Sequence, residues 1–435
     1  MQNEYAGVVT RFLDPSERLI LSDEQEMPLV IEAAQDKSPQ FVQQFLADNS
    51  KKISEDIAHY GAVLLRGFDI TTDLEFENTV LSIQGFKGIS EAFMSEEGRI
   101  HTSDLKYVLH TNAVYKTGGT VYLGGFHSEN YYSTDVPSYI CFFCHKPSDT
   151  GGETGLINME KIYAHLDEDL KKKLENTSFF VSKWLVSDVK ERYQIPVATI
   201  KKICAHYDLP IIGEGKDQFI LMYKPNIFEH PLTKKKSLQI NLFEIIGLNE
   251  EMRKCFMPDY QGKTWFWHRL VWRLPKWIMK SLELVYMMCA SFFYSPKNSL
   301  AILRSKIKTR MAAKNKAEIP DFDNRKVGSC FTDQNIKDLA QLIRQYYSSS
   351  LWQKGDVLLI DNKKVLHAGM PGSGSRLIRA MICNPLDMRY SKSDQGTIDC
   401  KERVGDTIGF YMAAGELGTN HQKVPSVRVP EESQV

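Results

Sequence analysis

The alternation of apolar and polar positions divides the chain before any chemistry is considered. Ser38-Pro39 reads as an N-cap followed by proline at the first helical position, where its missing N–H costs nothing. Phe41, Phe45, Leu46, Ile53 and Ile57 then recur at helical spacing, interrupted around Asn49-Ser50 and ending at Gly61. Ala62-Val63-Leu64-Leu65 is an unbroken apolar run, the pattern of a short buried strand. Aromatic and β-branched residues punctuated by Gly, Asp and Pro predict strands across 119–143. Gly151-Gly152 predicts a turn, with a short strand at 154–157 after it.

Residues 158 to about 210 read as helical, most clearly in NMEKIYAHLDEDLKKKLE. A later helix is predicted from an Asp333 N-cap through Ile336, Leu339, Leu342, Ile343 and Tyr346. Lys354-Gly355-Asp356 makes a turn before 357–360, a second continuous apolar strand, and 376–383 is its return strand after the loop 371–375. Strands early and late with helices between them predict a mostly β core with helices, a double-stranded β-helix (jelly roll) carrying a large helical insertion at about 158–350. Residues 1–60 are then a helical lead-in, 61–425 a single domain and 426–435 a polar tail.

Composition narrows the function. Lys+Arg 54 against Asp+Glu 54 leaves no net charge, which argues against a nucleic-acid binder. Eight scattered cysteines, behind an N-terminus without a basic and then apolar leader, read as reduced thiols of a cytoplasmic protein.

The candidate chemistry is a metal centre. In Phe126-His127-Ser128-Glu129-Asn130, residues i and i+2 of a strand share a face, so His127 and Glu129 can point at one ion. His367, just after the second apolar strand, is a second imidazole. Two imidazoles and one carboxylate leave three coordination positions open, as non-haem Fe(II) oxygenases require for a chelating co-substrate and O2. His-x-Glu alone arises readily by chance among 11 histidines. Arg376 adds weight: on the next strand, a guanidinium could take the distal carboxylate of 2-oxoglutarate as a bidentate pair. Thr154 could offer the same carboxylate a hydroxyl. Arg379, three positions further, faces the other way on a regular strand, so only one arginine should serve.

On these residues the chain resembles the taurine dioxygenase / clavaminate synthase-like (TauD/TfdA) superfamily of Fe(II)/2-oxoglutarate-dependent oxygenases. The resemblance rests on Gly61-Ala-Val-Leu-Leu-Arg-Gly-Phe68, Phe126-His-Ser-Glu-Asn130, the stretch PSYICFFCHKPSDTGGET ending at Thr154, Trp352-Gln-Lys-Gly-Asp-Val-Leu-Leu-Ile-Asp-Asn362, Val365-Leu-His-Ala-Gly369 and Arg376. It implies His127, Glu129 and His367 as iron ligands, Thr154 and Arg376 as 2-oxoglutarate contacts, and O2 as oxidant. Because some relatives carry the arginine a few residues later, Arg379 is the lesser alternative. Halogenating relatives replace the carboxylate by a small residue, so Glu129 argues against halogenation. No counterpart of the taurine-type second basic residue is evident, so taurine is not implied. The implied activity is hydroxylation of an amino-acid-like or carboxylate-bearing small molecule, free or carrier-tethered, with desaturation or ring closure as the alternative outcomes.

Other motifs are outweighed. Cys141-Phe-Phe-Cys144-His145 has the spacing of haem attachment but reads as a strand. Ser103-x-x-Lys106 and Lys116-Thr-Gly118 lack the Ser-Asp-Asn element of penicillin-binding enzymes. Residues 264–294 hold Trp265, Trp267, Trp272 and Trp277 among Arg269, Arg273, Lys276 and Lys280. Their charges exclude a membrane span. A lid or oligomer contact is favoured over a peripheral membrane contact.

Overall fold

The computed structural model describes residues 5–89, 135–175 and 327–388, together with 102, 105–111, 123–129 and most of 178–278. At its start the chain forms β1 (Val8–Arg11), β2 (Leu29–Ala33), α1 (Pro39–Asp48), α2 (Ser50–Tyr60), β3 (Ala62–Arg66) and α3 (Asp73–Leu81). The Ser38 hydroxyl accepts from the Phe41 amide at 3.2 Å, with Pro39 at the first helical position. Asn49 ends α1 and begins α2, as the break in the pattern predicts. Gly61 closes α2 at φ 86°, a left-handed conformation that favours glycine, and a Cβ there would stand 2.8 Å from Val365.

The middle holds β4 (Leu109–His110), β5 (Asp135–Lys146), β6 (Thr150–Gly151), β7 (Thr154–Asn158), α4 (Met159–His165) and α5 (Glu168–Glu175). It continues through β8 (Ser178–Leu185), α6 (Val186–Tyr193), α7 (Val197–His206), β9 (Ile211–Ile212), β10 (Phe219–Pro225), β11 (Ile227–Glu229) and β12 (Lys236–Leu238). After α8 (Leu248–Phe256) and α9 (Phe266–Trp272), the final part is α10 (Asp333–Gln345), β13 (Tyr347–Ser350), β14 (Val357–Asp361), β15 (Val365–Gly369), β16 (Gly372–Ser373) and β17 (Leu377–Asp387).

Two sheets face one another. The larger runs β1-β2-β3-β14-β5-β17-β4, and the smaller runs β13-β7-β15, with the β16–β6 pair beside it. All these pairings are antiparallel except β2 with β3. The central strands explain the unbroken apolar runs, because both of their faces are covered. In register, Leu358 pairs with Leu64 and Phe142, and all three enter the core between the sheets with Leu156 and Val365 of the smaller sheet. Leu359 pairs with Val63 and Cys141, and these point outward under α1, α2 and α3, against Val42, Phe45, Ile53, Ile57, Phe76 and Val80. The far face of the smaller sheet (Ile157, Leu366, Ala368, Tyr347) packs on Ile162, Leu170, Met252, Phe256, Leu339 and Ile343 of the later helices. The order is therefore helices, sheet, sheet, helices.

Three expectations change. Residues 1–60 are not only helical, since β1 and β2 extend the main sheet. Residues 158–210 are not continuously helical either: the amphipathic pattern stops at Glu175, and aromatic-rich β8 pairs with β10 from Leu185↔Phe219 to Ser178↔Pro225. The cap of α10 is Thr332, whose hydroxyl accepts from Asn335 N–H at 3.1 Å while Asn335 reaches back to the Thr332 amide at 3.0 Å. Asp333 lies in the first turn, where its charge favours the helix N-terminus.

Cys141 and Cys144 are buried on β5, and His145 is 2.5 Å from Asp73, so that motif is a strand with its histidine paired. Trp265 and Trp272 pack against Tyr260 at 4.8 and 5.0 Å, while Phe266, Trp267 and Leu270 are exposed. Lys276, Trp277 and Lys280, with the rest of 279–294, lie outside the described residues. Among the described residues no helix is long and apolar enough to cross a membrane.

Leu358 is fully buried between the sheets. Leu358→Ala should cost about 2–5 kcal/mol, with the cavity adding to the transfer loss. Urea denaturation reads this directly, and a loss below about 1 kcal/mol would contradict the two-sheet core.

Candidate metal centre

The smaller sheet supplies the first anchor. Across β7 and β15, His367 pairs with Leu156 and Gly369 with Thr154. Direct partners and residues two apart share a face, so these four line the inner side, while Leu366 and Ala368 turn outward. His127 joins this edge by one two-residue bridge: its amide donates to the His367 carbonyl at 3.1 Å, and the His367 amide returns the bond at 3.0 Å. The rings lie 4.6 Å apart. Glu129 follows in a turn, so turn geometry rather than a continuous strand brings its carboxylate round. Glu129 Oε2 is 3.9 Å from His127 Nε2 and 3.6 Å from His367 Nε2, and ligand atoms of all three lie within 4.8 Å of one another.

The donor set fits a divalent ion. His127 Nδ1 is 2.7 Å from the Gly125 carbonyl. A carbonyl can only accept, so Nδ1 carries a proton there, and in the neutral tautomer Nε2 is the nitrogen that could ligate a metal. His367 is buried, and neither ring nitrogen has a hydrogen-bond partner. An orphaned buried imidazole costs about 1–3 kcal/mol, which a bound ion would recover.

Two positions along β15 from His367, about 7 Å at strand rise, the other predicted residues meet. The Gly152 amide donates to the Pro371 carbonyl at 2.8 Å, and the Arg376 guanidinium donates to the Gly152 carbonyl. A Cβ on Gly369 would stand 3.3 Å from Arg376 Nη2, so the guanidinium lies over Gly369, the register partner of Thr154. Gly152 has φ 69°, and a Cβ there would overlap the Ser148 hydroxyl at 2.1 Å. A tight glycine turn thus holds Arg376 beside Thr154.

A family model described as taurine catabolism dioxygenase TauD, TfdA family, matches residues 26–254, more than half of the chain. The chain belongs to the TauD/TfdA family. Dapdiamide synthesis protein DdaC of Enterobacter agglomerans is 27% identical over 118 residues, 27% of this chain and 33% of that relative, so only a third of its length is matched. Among solved structures, PvcB of Pseudomonas aeruginosa is similar at TM-score 0.44 and 11% identity, covering 88% of this chain and 94% of that one. AAD-2 in complex with Mn(II) and N-oxalylglycine follows at TM-score 0.38 and 12% identity, covering 86% and 97%.

In this TauD/TfdA chain the remaining arginine is occupied elsewhere. Arg379 Nε is 2.9 Å from Asp73 Oδ2, and Nη1 is 2.6 Å from His110 Nδ1. It pairs in register with Phe143 of the helix-covered core, so it points away from the face carrying His367. Two groups near the site escaped sequence reasoning. Asn362 brackets the Glu129 backbone, a contact through main-chain atoms that no motif spacing discloses. Glu153, in the glycine turn, is completely buried on the face opposite Thr154, beside Tyr347. Burial pushes its carboxyl up to about 7, against the opposing pull of its own amide, Arg376 and the Tyr347 hydroxyl.

A carboxyl raised from 4.5 to about 7 on folding stabilises the fold fully below pH 4.5 and withdraws that stability as pH rises through 7. The full swing is about 3 kcal/mol. Glu153→Gln should flatten the decline between pH 5.5 and 8.5, measured by urea denaturation at each pH; parallel curves for the variant and the parent would contradict the assignment.

Proposed function

We propose that the protein is a non-haem Fe(II)/2-oxoglutarate-dependent dioxygenase that hydroxylates an amino-acid-like or carboxylate-bearing small molecule, free or carrier-tethered. The observation that carries this reading is the convergence of His127, Glu129 and His367 on one point beside Thr154 and Arg376. Family membership supports the oxygenase class. The likeness to a protein of dapdiamide synthesis supports a small-molecule substrate. In this reading the two facing sheets are the walls of a double-stranded β-helix.

His127, Glu129 and His367 would hold Fe(II), which when bound couples oxidative decarboxylation of 2-oxoglutarate to oxygen activation. Two imidazoles and one carboxylate would serve as the protein's ligands and would leave further positions for co-substrate and O2. Arg376 takes the distal carboxylate of 2-oxoglutarate through its fork of N–H donors, and the Thr154 hydroxyl donates to the same group. Leu156 on the shared strand face and Phe142, whose ring is 5.3 Å from His367, form the dry wall behind the site. His127 is the partly exposed member of the triad, with a third of its side chain accessible, so substrate approaches on its side.

The alternative is a jelly-roll interaction protein that contacts a membrane or partner through 264–294. It draws on exposed Phe266, Trp267 and Leu270. It leaves the convergence of His127, Glu129 and His367 unexplained, and Trp265 and Trp272 belong to the protein's own core.

Under anaerobic conditions, protein with Fe(II) and 2-oxoglutarate should show a visible charge-transfer band. His127→Ala and His367→Ala should abolish it. Arg376→Ala should raise half-saturating 2-oxoglutarate about tenfold to a hundredfold, the worth of one charge-assisted contact, while Arg379→Ala changes it little. A band that survives both histidine substitutions overturns the ligand assignment. Substrate-stimulated succinate release across amino acids, lipids and carrier-bound acyl groups then selects the substrate.

A further inference from the structure

Glu129 stands in a turn, outside any strand, yet its backbone is held as firmly as a strand residue's. The holder is Asn362, only 1% exposed, in the turn between β14 and β15. Its Oδ1 accepts from the Glu129 amide at 2.7 Å, and its Nδ2 donates to the Glu129 carbonyl at 3.1 Å. Accepting from the N–H and donating to the C=O of one residue is what an antiparallel strand does for its hydrogen-bonded partner. The side-chain amide thus replaces a missing strand. The second Nδ2 proton goes to the Pro137 carbonyl at 2.7 Å, which fixes the amide's orientation, since a flip would set oxygen against two carbonyls.

The main chain at Asn362 adds to the hold. Its N–H donates to the Ser138 carbonyl at 3.0 Å, and its carbonyl accepts the Ser128 hydroxyl at 3.0 Å. The turn is itself anchored by buried charge. Asp361 is 2.8 Å from His230 Nε2 and 2.7 Å from Lys363 Nζ, and Lys363 lies over the Tyr139 ring at 4.1 Å. The insertion contributes to this frame: His230 follows β11, Gln239 donates to the Lys363 carbonyl, and Asn241 accepts from the Ser128 amide at 3.3 Å.

We propose that Asn362 is a positioning residue that sets the carboxylate arm of the metal centre, holding Glu129 by its backbone against the same turn that leads to His367. The inference rests on the metal-binding reading above. Loss of the clamp frees the Glu129 main chain, leaves the Ser128 contacts to Asn241 and the Asn362 carbonyl intact, and removes no ligand side chain. Partners one step removed from a metal typically govern affinity by 10–100-fold.

The test uses Co(II) as probe on the full chain, with affinity from titration, the ligand-field absorption spectrum, and the unfolding midpoint of the metal-free protein. Asn362→Ala removes all three side-chain bonds. Asn362→Asp keeps the shape and removes both donors. Each is expected to weaken Co(II) binding about 10–100-fold and to alter the spectrum, measured well below the midpoint so that only folded protein is counted. Should Asn362→Ala not fold, the near-isosteric Asp variant gives the reading. Affinity within twofold of wild type, with an unchanged spectrum and only a lower midpoint, overturns the positioning role. Failure of the wild type itself to bind Co(II) overturns the metal reading and this proposal with it.

Discussion

One backbone bridge governs the site. His127 and His367 come from distant parts of the sequence, and their reciprocal amide–carbonyl bonds at 3.1 and 3.0 Å are what set two imidazoles side by side. A backbone pair fixes side-chain direction more tightly than a side-chain contact, because both Cα–Cβ vectors follow from the ladder. Once the bridge is in place, the register of β15 on β7 determines where Thr154 and Gly369 fall. Loss of register by one residue would turn His367 to the outer core and bring Leu366 or Ala368 inward.

That register is protected by burial on both sides. The outward positions of the smaller sheet are committed to the core under the later helices, and the inward ones to the core between the sheets. A strand with two committed faces has no cheap slip. The same arrangement makes the polar groups inside it costly unless they are matched. Arg66 meets this with Asp356 at 2.6 Å, and Lys364 with Glu160 at 2.9 Å. Glu153 does not find a comparable partner and responds by a raised pKa. The His367 ring is left in the same position, but with the geometry of a ligand.

The readable and unreadable parts of the sequence separate along physical lines. Local chemistry announced α1 and α2, through Ser38-Pro39 and Gly61, and it announced β3 and β14, whose apolar runs admit no exposed face. β1, β2 and β8 were hidden because their stability is in pairing with remote strands, and short mixed runs such as Val8–Arg11 carry no period of their own. At the site, His127, Glu129 and His367 were visible as residue types at suggestive spacing, and Arg376 and Thr154 as a cation and a hydroxyl near them in the strand pattern, which the resemblance then reinforced. Strand alternation alone does not separate Arg379 from Arg376, because Arg376 precedes β17 and the register shifts at Leu377/Ile378; Arg379 is instead paired with Asp73. Asn362 ends one of the motifs of the resemblance, but its role was unreadable, since it works on another residue's main chain, and Glu153 became unusual only through its burial beside Tyr347.

If His127, Glu129 and His367 share one ion, anomalous diffraction from crystals grown with Mn(II) and 2-oxoglutarate locates it. The expected result is a single strong peak about 2.0–2.3 Å from His127 Nε2, a Glu129 oxygen and His367 Nε2. A peak bound elsewhere, or one that leaves any of the three out of contact, would contradict it.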